Sequence, residues 1–153
     1  MKKLRQVNRD EIAFELLYAE PFIEKDFEAV RDLLVQLSPQ SVLTPESYVE
    51  AVGEQTVIVA RLPDGCIVGT ASLVEQCQLS RVKHSVEDVV VHSGYQGCGI
   101  GRGLMDKLIW FAREYGIRIL DLNSSSRRQA ARGLYESLGF KRRDSDLFRL
   151  EIK

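Results

Sequence analysis

Hydrophobic and polar positions along the 153-residue chain follow two periodicities. Short segments rich in β-branched residues predict strands, and segments whose apolar residues recur every three or four positions predict helices. The predicted strands cover residues 12–19, 56–62, 66–78, 82–92, 117–122, 140–143 and 147–152. The predicted helices cover residues 21–37, 44–52, 101–115 and about 126–138. This order predicts an α/β fold with a mixed central sheet of about seven strands flanked by about four helices.

Capping and turn residues set several of these boundaries. Thr44 is a favourable N-cap and Pro45 a favourable first helical residue, and Gly53 is predicted to end that short helix. The turn Pro63-Asp64-Gly65 joins two strands, because proline presets φ and glycine accepts a positive φ. Those two strands are therefore predicted to form a hairpin.

Composition narrows the class of protein without pointing to a function. Hydrophobic residues make up 44% and charged residues 28%, with a formal net charge of −1. These values argue against a disordered chain and against a nucleic-acid-binding domain. The chain lacks an apolar run of about 18 residues, so we expect no membrane-spanning helix. Its basic N-terminus is not followed by an apolar stretch, so we expect no signal peptide.

Cysteine and histidine spacing bears on location and metal binding. The three cysteines are too few and too irregularly spaced for a disulfide framework: Cys66, Cys77 and Cys98. They predict free thiols in a reducing cytoplasm. His84 and His92 do not match a metal-binding spacing, so we expect no metal. Residues 127–143 hold six cations against one acid, which suits a phosphorylated small molecule better than a nucleic-acid duplex.

A glycine-rich loop, residues 94–103, lies between the predicted strand at 82–92 and the helix that follows. Glycines at alternate positions let several backbone N–H groups converge on one anion, and the helix adds its positive N-terminal end. The P-loop pattern fails because Gly101-Arg102-Gly103 stands where Gly-Lys-Ser/Thr is needed, and the pattern GxGxxG fails in each register. The pattern Gln/Arg-x-x-Gly-x-Gly/Ala is satisfied by residues 96–101. The loop therefore predicts a phosphate or pyrophosphate site.

Two motifs resemble the GNAT superfamily of N-acetyltransferases, which bind acetyl-coenzyme A. The first is Val89-Val90-Val91 leading into residues 96–101, and the second is Ala131-x-x-Leu134-Tyr135-x-x-x-Gly139-Phe140. The resemblance implies a single N-acetyltransferase domain over residues 1–153, with its core at about 11–152, and acetyl-CoA as the acetyl donor. Homodimers are common in that family. The strand at 86–91 is also similar to that of glucosamine 6-phosphate N-acetyltransferases, whereas the longer loop 123–127, which ends at Arg127, departs from them.

The resemblance also implies which residues hold the donor. The loop amides would bind the pyrophosphate, and the backbone of the preceding strand would pair with the pantetheine arm. The backbone N–H of Val90 or Val91 would donate to the oxyanion. The implied donor-binding residues are Val89, Val90, Val91, Gln96, Gly97, Cys98, Gly99, Ile100, Gly101, Arg102 and Arg128. Arg128 stands where many members of the family have asparagine.

Acetyl transfer from a thioester to an amine requires a neutral amine, a hydrogen-bond donor for the oxyanion and a proton for the departing thiolate. Tyr135 is the candidate acid, because a phenol has a proton to give and the residue stands where the family motif has its tyrosine. Glu87 and Asp88 are the candidates for binding and deprotonating the amine, because carboxylates in a valine-rich strand are costly unless partnered. In a regular strand their side chains point to opposite faces, and a bulge would change that.

These features predict an N-acetyltransferase that acts on a primary amine by direct attack in a ternary complex. A small-molecule amine is favoured over a protein amine, and neither a nucleic acid nor a membrane is expected as a partner. The alternative is a non-catalytic acyl-CoA-binding or regulatory module of the same fold. The presence of Tyr135 argues against that alternative.

Overall fold

A computed structural model of the protein describes residues 7–152. These residues form four α-helices: α1 Glu24–Leu37, α2 Pro45–Glu54, α3 Ile100–Glu114 and α4 Gln129–Ser137. They also form five strands: β1 Ala13–Leu16, β2 Thr56–Arg61, β3 Ile67–Cys77, β4 Val82–Val91 and β5 Asp121–Leu122. Short 3-10 helices lie at Arg9–Glu11 and Ser93–Tyr95. Among these residues, no helix is both long enough and apolar enough to span a bilayer.

The chain forms two compact units, which divide after Asn123. The first unit holds one mixed sheet of order β1-β2-β3-β4-β5. Neighbouring strands in it are antiparallel except for β4 and β5, which are parallel. The second unit, from Ser124 onward, holds α4. The α/β class, the mixed sheet and the four helices predicted from the sequence are therefore confirmed.

The number of strands predicted from the sequence was wrong. The segments 140–143 and 147–152 form no strand, so the described residues build a sheet of five strands rather than about seven. The apolar side chains of the segment 147–152 are between 78% and 90% exposed: Leu147, Phe148, Leu150 and Ile152. An alternating apolar pattern becomes a strand only when a partner supplies ladder hydrogen bonds. The second unit offers these segments one helix and no strand edge.

The helices of the first unit cover both faces of its sheet. Val57 and Val59 of β2 belong to a buried cluster with Phe27 and Leu33 of α1 and with residues of α2. The opposite face of the sheet packs on α3. There, a Cβ on Gly69 of β3 would lie 3.1 Å from the side chain of Leu104 and 3.3 Å from that of Ile100. The absence of a side chain at Gly69 thus brings the start of α3 close to the sheet, next to the end of β4.

Of the two ends of α2 predicted from capping residues, the start is confirmed and the end is not. Thr44 caps α2 as predicted: its Oγ1 accepts from the Ser47 N–H at 3.2 Å, and the Ser47 hydroxyl accepts from the Thr44 N–H at 3.0 Å. Gly53 does not end α2, which continues to Glu54. An exposed glycine inside a helix costs only about 1 kcal/mol relative to alanine, so it does not by itself terminate the helix.

Candidate active site

The centre of β4 carries a β-bulge at the two predicted acids. Val90 pairs with Thr70 and Glu87 pairs with Ser72, so Asp88 and Val89 together lie opposite one residue of β3. Asp88 adopts φ 52°, a left-handed conformation that aspartate and asparagine tolerate better than most residues. A bulge re-aims the side chains of its strand. The simple alternation expected for Glu87 and Asp88 in a regular strand therefore does not hold.

Glu87 lies on the face of the sheet that α1 and α2 cover. Its cross-strand partner Ser72 pairs in turn with Val57, which belongs to the buried cluster of α1 and α2. The Glu87 side chain is half-buried. Ser85, two residues earlier on the same face, and Ser72 are both buried, so two serines neighbour Glu87 within the strand pair. This part of the sheet is polar despite the valines that flank it.

The pKa of Asp88 is raised above its ordinary value. Desolvation is the main cause, and the neighbouring carboxylate of Glu87 adds to it. Although much of the Asp88 side chain is accessible to water, its packed neighbours still displace water from the carboxyl group. A raised pKa makes the carboxylate a stronger base than an ordinary aspartate. Asp88 is therefore well suited to accept a proton.

The pairing of β4 with β5 ends just before the two acids. The two strands pair only at Ser85 with Asp121 and at Val86 with Leu122. Beyond these pairs, β4 continues to Val91 with no β5 partner in the described ladder. Strand β5 ends at Leu122, so the backbone of Val89–Val91 lies beyond the last pair of the two strands.

The glycine loop has the conformation that its sequence predicts. Gly97 and Gly99 have φ of 77° and 76°, and Gly99 is the N-cap of α3. The backbone N–H groups of Gly99, Ile100 and Gly101 donate to no acceptor in the described part of the chain. Amides of the first helical turn lack partners within the helix and carry its positive end. This arrangement fits the phosphates of a nucleotide-like ligand such as coenzyme A.

Side chains around this loop add charge to it. Arg102 and Arg9 both approach Asp106, at 3.9 Å and 3.7 Å. Arg9 also lies against the loop, because a Cβ on Gly99 would meet its Cδ at 3.3 Å. Arg9 is a residue that sequence reasoning missed, since it lies 90 positions before Gly99 and no motif includes it. Cys98 is exposed, and its Sγ lies 3.8 Å from the carbonyl oxygen of Gln96.

The remaining predicted site residues belong to the second unit. Tyr135 lies on α4 and is only 9% exposed, and its ring makes an edge contact with Phe140 at 6.0 Å between centroids. Burial raises the pKa of Tyr135, and the charge of Arg128 opposes that rise. The phenol therefore keeps its proton throughout the neutral pH range. Arg128 is the N-cap residue of α4 and is exposed.

Comparison with known proteins identifies the class to which this fold and this loop belong. The model of the acetyltransferase (GNAT) family matches residues 17–140. This match covers most of the chain, so the protein belongs to the GNAT family of acetyltransferases. The resemblance drawn from the strand, loop and tyrosine motifs is confirmed.

Relatives in this family act on different amines. A [ribosomal protein bS18]-alanine N-acetyltransferase of Haemophilus influenzae is 30% identical over 122 residues, 78% of this chain and 77% of that protein. A glucosamine 6-phosphate N-acetyltransferase of Trypanosoma brucei brucei is 35% identical over 103 residues, 65% of this chain and 67% of that protein. An L-amino acid N-acyltransferase of Escherichia coli is 37% identical over 78 residues, half of this chain, and the match covers 45% of that protein.

Solved structures share the fold. A Trypanosoma brucei acetyltransferase aligns with a TM-score of 0.73 at 27% identity, covering 92% of this chain and 99% of that chain. An aminoglycoside acetyltransferase from an uncultured soil metagenomic sample aligns with a TM-score of 0.80 at 19% identity, covering 95% and 99%. At that identity, the second likeness concerns the fold alone.

Proposed function

We propose that the protein transfers the acetyl group of acetyl-CoA to a primary amine by direct attack within a ternary complex. The observation that carries this proposal is the glycine loop: two left-handed glycines and the unpartnered amides of the first turn of α3 come shortly after a strand whose last residues have no β5 partner. The family match over residues 17–140 spans both compact units. It supports our proposal that the chain acts as a single N-acetyltransferase domain.

The donor is held by backbone groups in this proposal. The amides of residues 97–102 bind the pyrophosphate, and Arg102 and Arg128 add positive charge toward phosphate oxygens. The backbone of Val89–Val91 pairs with the pantetheine arm, since β5 does not pair with that stretch. This pairing aligns the thioester with β4. The N–H of Val90 or Val91 then stabilises the oxyanion.

Three proton transfers accompany the reaction. A carboxylate, Glu87 or Asp88, binds the ammonium form of the acceptor and takes one proton from it, and the neutral amine then attacks the thioester carbon. The attacking nitrogen loses its second proton to solvent, the carbon–sulfur bond breaks, and Tyr135 gives its proton to the thiolate of coenzyme A. The products are an N-acetylated amine and the free thiol of coenzyme A. The carboxylate and the phenol exchange their protons with solvent before the next turnover.

A steady-state screen tests this proposal and searches for the acceptor. Release of free thiol from acetyl-CoA is followed with an L-amino acid, glucosamine 6-phosphate, a polyamine and a peptide with N-terminal alanine. We expect a small-molecule amine to stimulate thiol release, and initial rates with both substrates varied to give intersecting patterns. A chain that binds coenzyme A with no stimulation by these amines would be a non-catalytic acyl-CoA-binding module instead.

Location and assembly are part of the same proposal. The described cysteines are unpaired thiols: Cys66, Cys77 and Cys98. Free thiols suit a reducing compartment, so we place the enzyme in the cytoplasm. We further propose a homodimer, which sedimentation at micromolar concentration would test.

Neutralising the catalytic carboxylate should lower kcat/KM for the amine by about tenfold at neutral pH, less than the ~100- to 10,000-fold typical of a general base, because solvent can replace the side chain. The variants are Glu87→Gln and Asp88→Asn, measured separately over a range of pH. Without its base, the reaction depends on the amine losing its own proton, so the rise of rate with pH should move to higher pH. Affinity for coenzyme A should not change, because the glycine loop is intact.

The stability of Asp88→Asn provides an internal control. A raised pKa means that the folded state holds the Asp88 proton more tightly than the unfolded state, so ionised Asp88 opposes folding. Ionised Asp88 destabilises the fold fully at pH values above its pKa in the folded state. It has no such effect at pH values below the ordinary pKa of an aspartate in the unfolded state. Asparagine also tolerates φ 52°. Asp88→Asn should therefore keep or raise the unfolding midpoint at neutral pH. Wild-type amine kinetics in both variants would show that another group is the base.

A further inference from the structure

The side chain of Gln36 links the end of α1 to the point where β4 turns into the glycine loop. Its Nε2 donates to the carbonyl oxygen of Val91 at 2.8 Å, and its Oε1 accepts from the backbone N–H of Ser93 at 2.9 Å. These backbone groups lie 55 and 57 positions further along the chain. A primary amide offers both a donor and an acceptor, so it can bind a carbonyl and an N–H as a neighbouring peptide group would.

Other bonds hold the same turn from the side of the sheet. The N–H of His92 donates to the carbonyl oxygen of Val68 on β3 at 2.8 Å. Within the turn, the N–H of Gly94 donates to Nδ1 of His92 at 3.1 Å. Gln36 is the residue of α1 that binds this backbone among the described contacts. The carbonyl oxygen of Val91 also accepts from Nε2 of Gln96 at 3.2 Å. Loss of the Gln36 amide would therefore leave β4 anchored to β3, and it would remove the acceptor of the Ser93 N–H.

We propose that Gln36 is a positioning residue for donor binding, which fixes the exit of β4 and thereby the place of the amides that receive the phosphates. This inference rests on the proposed binding of acetyl-CoA by the glycine loop. A loop that is already held in its binding conformation loses less conformational entropy when the ligand binds. The two hydrogen bonds of Gln36 therefore act on the affinity for the donor, although the side chain does not touch it.

The position of Gln36 on the surface allows a positioning role to be distinguished from a purely structural one. The side chain is exposed, and it does not belong to the buried cluster of α1 and α2. We therefore expect its replacement to leave the packing of α1 on the sheet unchanged. If Gln36 had only a structural role, its replacement would lower the unfolding midpoint. If it has a positioning role, its replacement raises the dissociation constant of coenzyme A and speeds hydrogen exchange of the loop amides.

The test uses Gln36→Met, which keeps the length of the side chain and removes both hydrogen bonds. We expect the dissociation constant of coenzyme A, measured by titration calorimetry, to rise about tenfold, as for the loss of one to two net hydrogen bonds. The amide of Ser93 should exchange its hydrogen faster in the absence of ligand. KM for acetyl-CoA should rise, whereas KM for the amine and kcat at saturating donor should change little.

Gln76→Met is the matched control. Gln76 is an exposed glutamine on β3 that pairs with Lys83 at the end of β4 distant from the loop. The Gln76→Met protein should bind coenzyme A with the dissociation constant of the wild type. If Gln36→Met keeps the wild-type dissociation constant or the wild-type exchange rate of Ser93, the inference is wrong. If the wild-type protein itself fails to bind coenzyme A, the proposed function is wrong and this inference falls with it.

Discussion

Glutamate in place of Gly99 should weaken coenzyme A binding by at least about 100-fold, because it places a like charge against each phosphate. Gly99 has φ 76°, and its N–H belongs to the group that faces the expected pyrophosphate. A carboxylate at the N-terminus of α3 would itself interact with the helix dipole and occupy the position of the phosphate. Titration calorimetry with coenzyme A measures the effect directly.

Two companion variants separate charge from strain. Gly99→Ala introduces a Cβ that lies 3.3 Å from Cδ of Arg9 and keeps the disfavoured φ, so we expect a smaller loss of affinity than with glutamate. Gly53→Glu makes the same exchange in an open, exposed position of α2 and should bind normally. Unchanged affinity for coenzyme A in a folded Gly99→Glu protein would show that this loop does not hold the phosphates.

Most of the fold follows from local periodicity. The hairpin of β2 and β3 was predicted because the turn carries Gly65, which does adopt φ 85°. Helix α3 was predicted because its apolar residues recur at helical spacing, and four of them are buried: Leu104, Met105, Leu108 and Ala112. Strand β5 is shorter than predicted, since Ile117 still bonds to the carbonyl oxygen of Ala112 and only Asp121 and Leu122 join the ladder. Whether an apolar segment pairs depends on a partner that local sequence does not specify.

The candidate site also has one part that local sequence predicts and another part that it does not. The glycine loop was predictable because the proposed anion binding uses backbone N–H groups, and glycines at fixed spacing indicate the backbone conformation that exposes them. Arg9 and Gln36 could not be predicted, because each contacts the loop or its start through one side chain from a distant part of the sequence. The bulge at Asp88 was foreseen only as an alternative, because aspartate tolerates a left-handed conformation without requiring it.

Loss of the Tyr135 hydroxyl should lower kcat by about tenfold to a thousandfold, somewhat less than the ~100- to 10,000-fold typical of a general acid, because solvent can supply part of the proton. The variant is Tyr135→Phe, which keeps the buried ring and its edge contact with Phe140. Burial raises the pKa of Tyr135, so the wild-type phenol remains an acid through neutral pH and loses activity only when it ionises at higher pH. The variant should lack that alkaline fall in kcat, and its affinity for acetyl-CoA should change little.

Tyr115→Phe removes the same hydroxyl from an exposed tyrosine at the end of α3 and should leave kcat unchanged. The comparison assigns any loss in Tyr135→Phe to the position of the hydroxyl rather than to the exchange itself. The thiolate of coenzyme A has an ordinary pKa of about 8.5, so without an acid it must leave as the charged species at neutral pH. That cost falls on the breakdown of the tetrahedral intermediate and therefore on kcat. If kcat is the same in the variant and the wild type at every pH, Tyr135 is a packing residue of its helix, and the thiolate takes its proton from solvent.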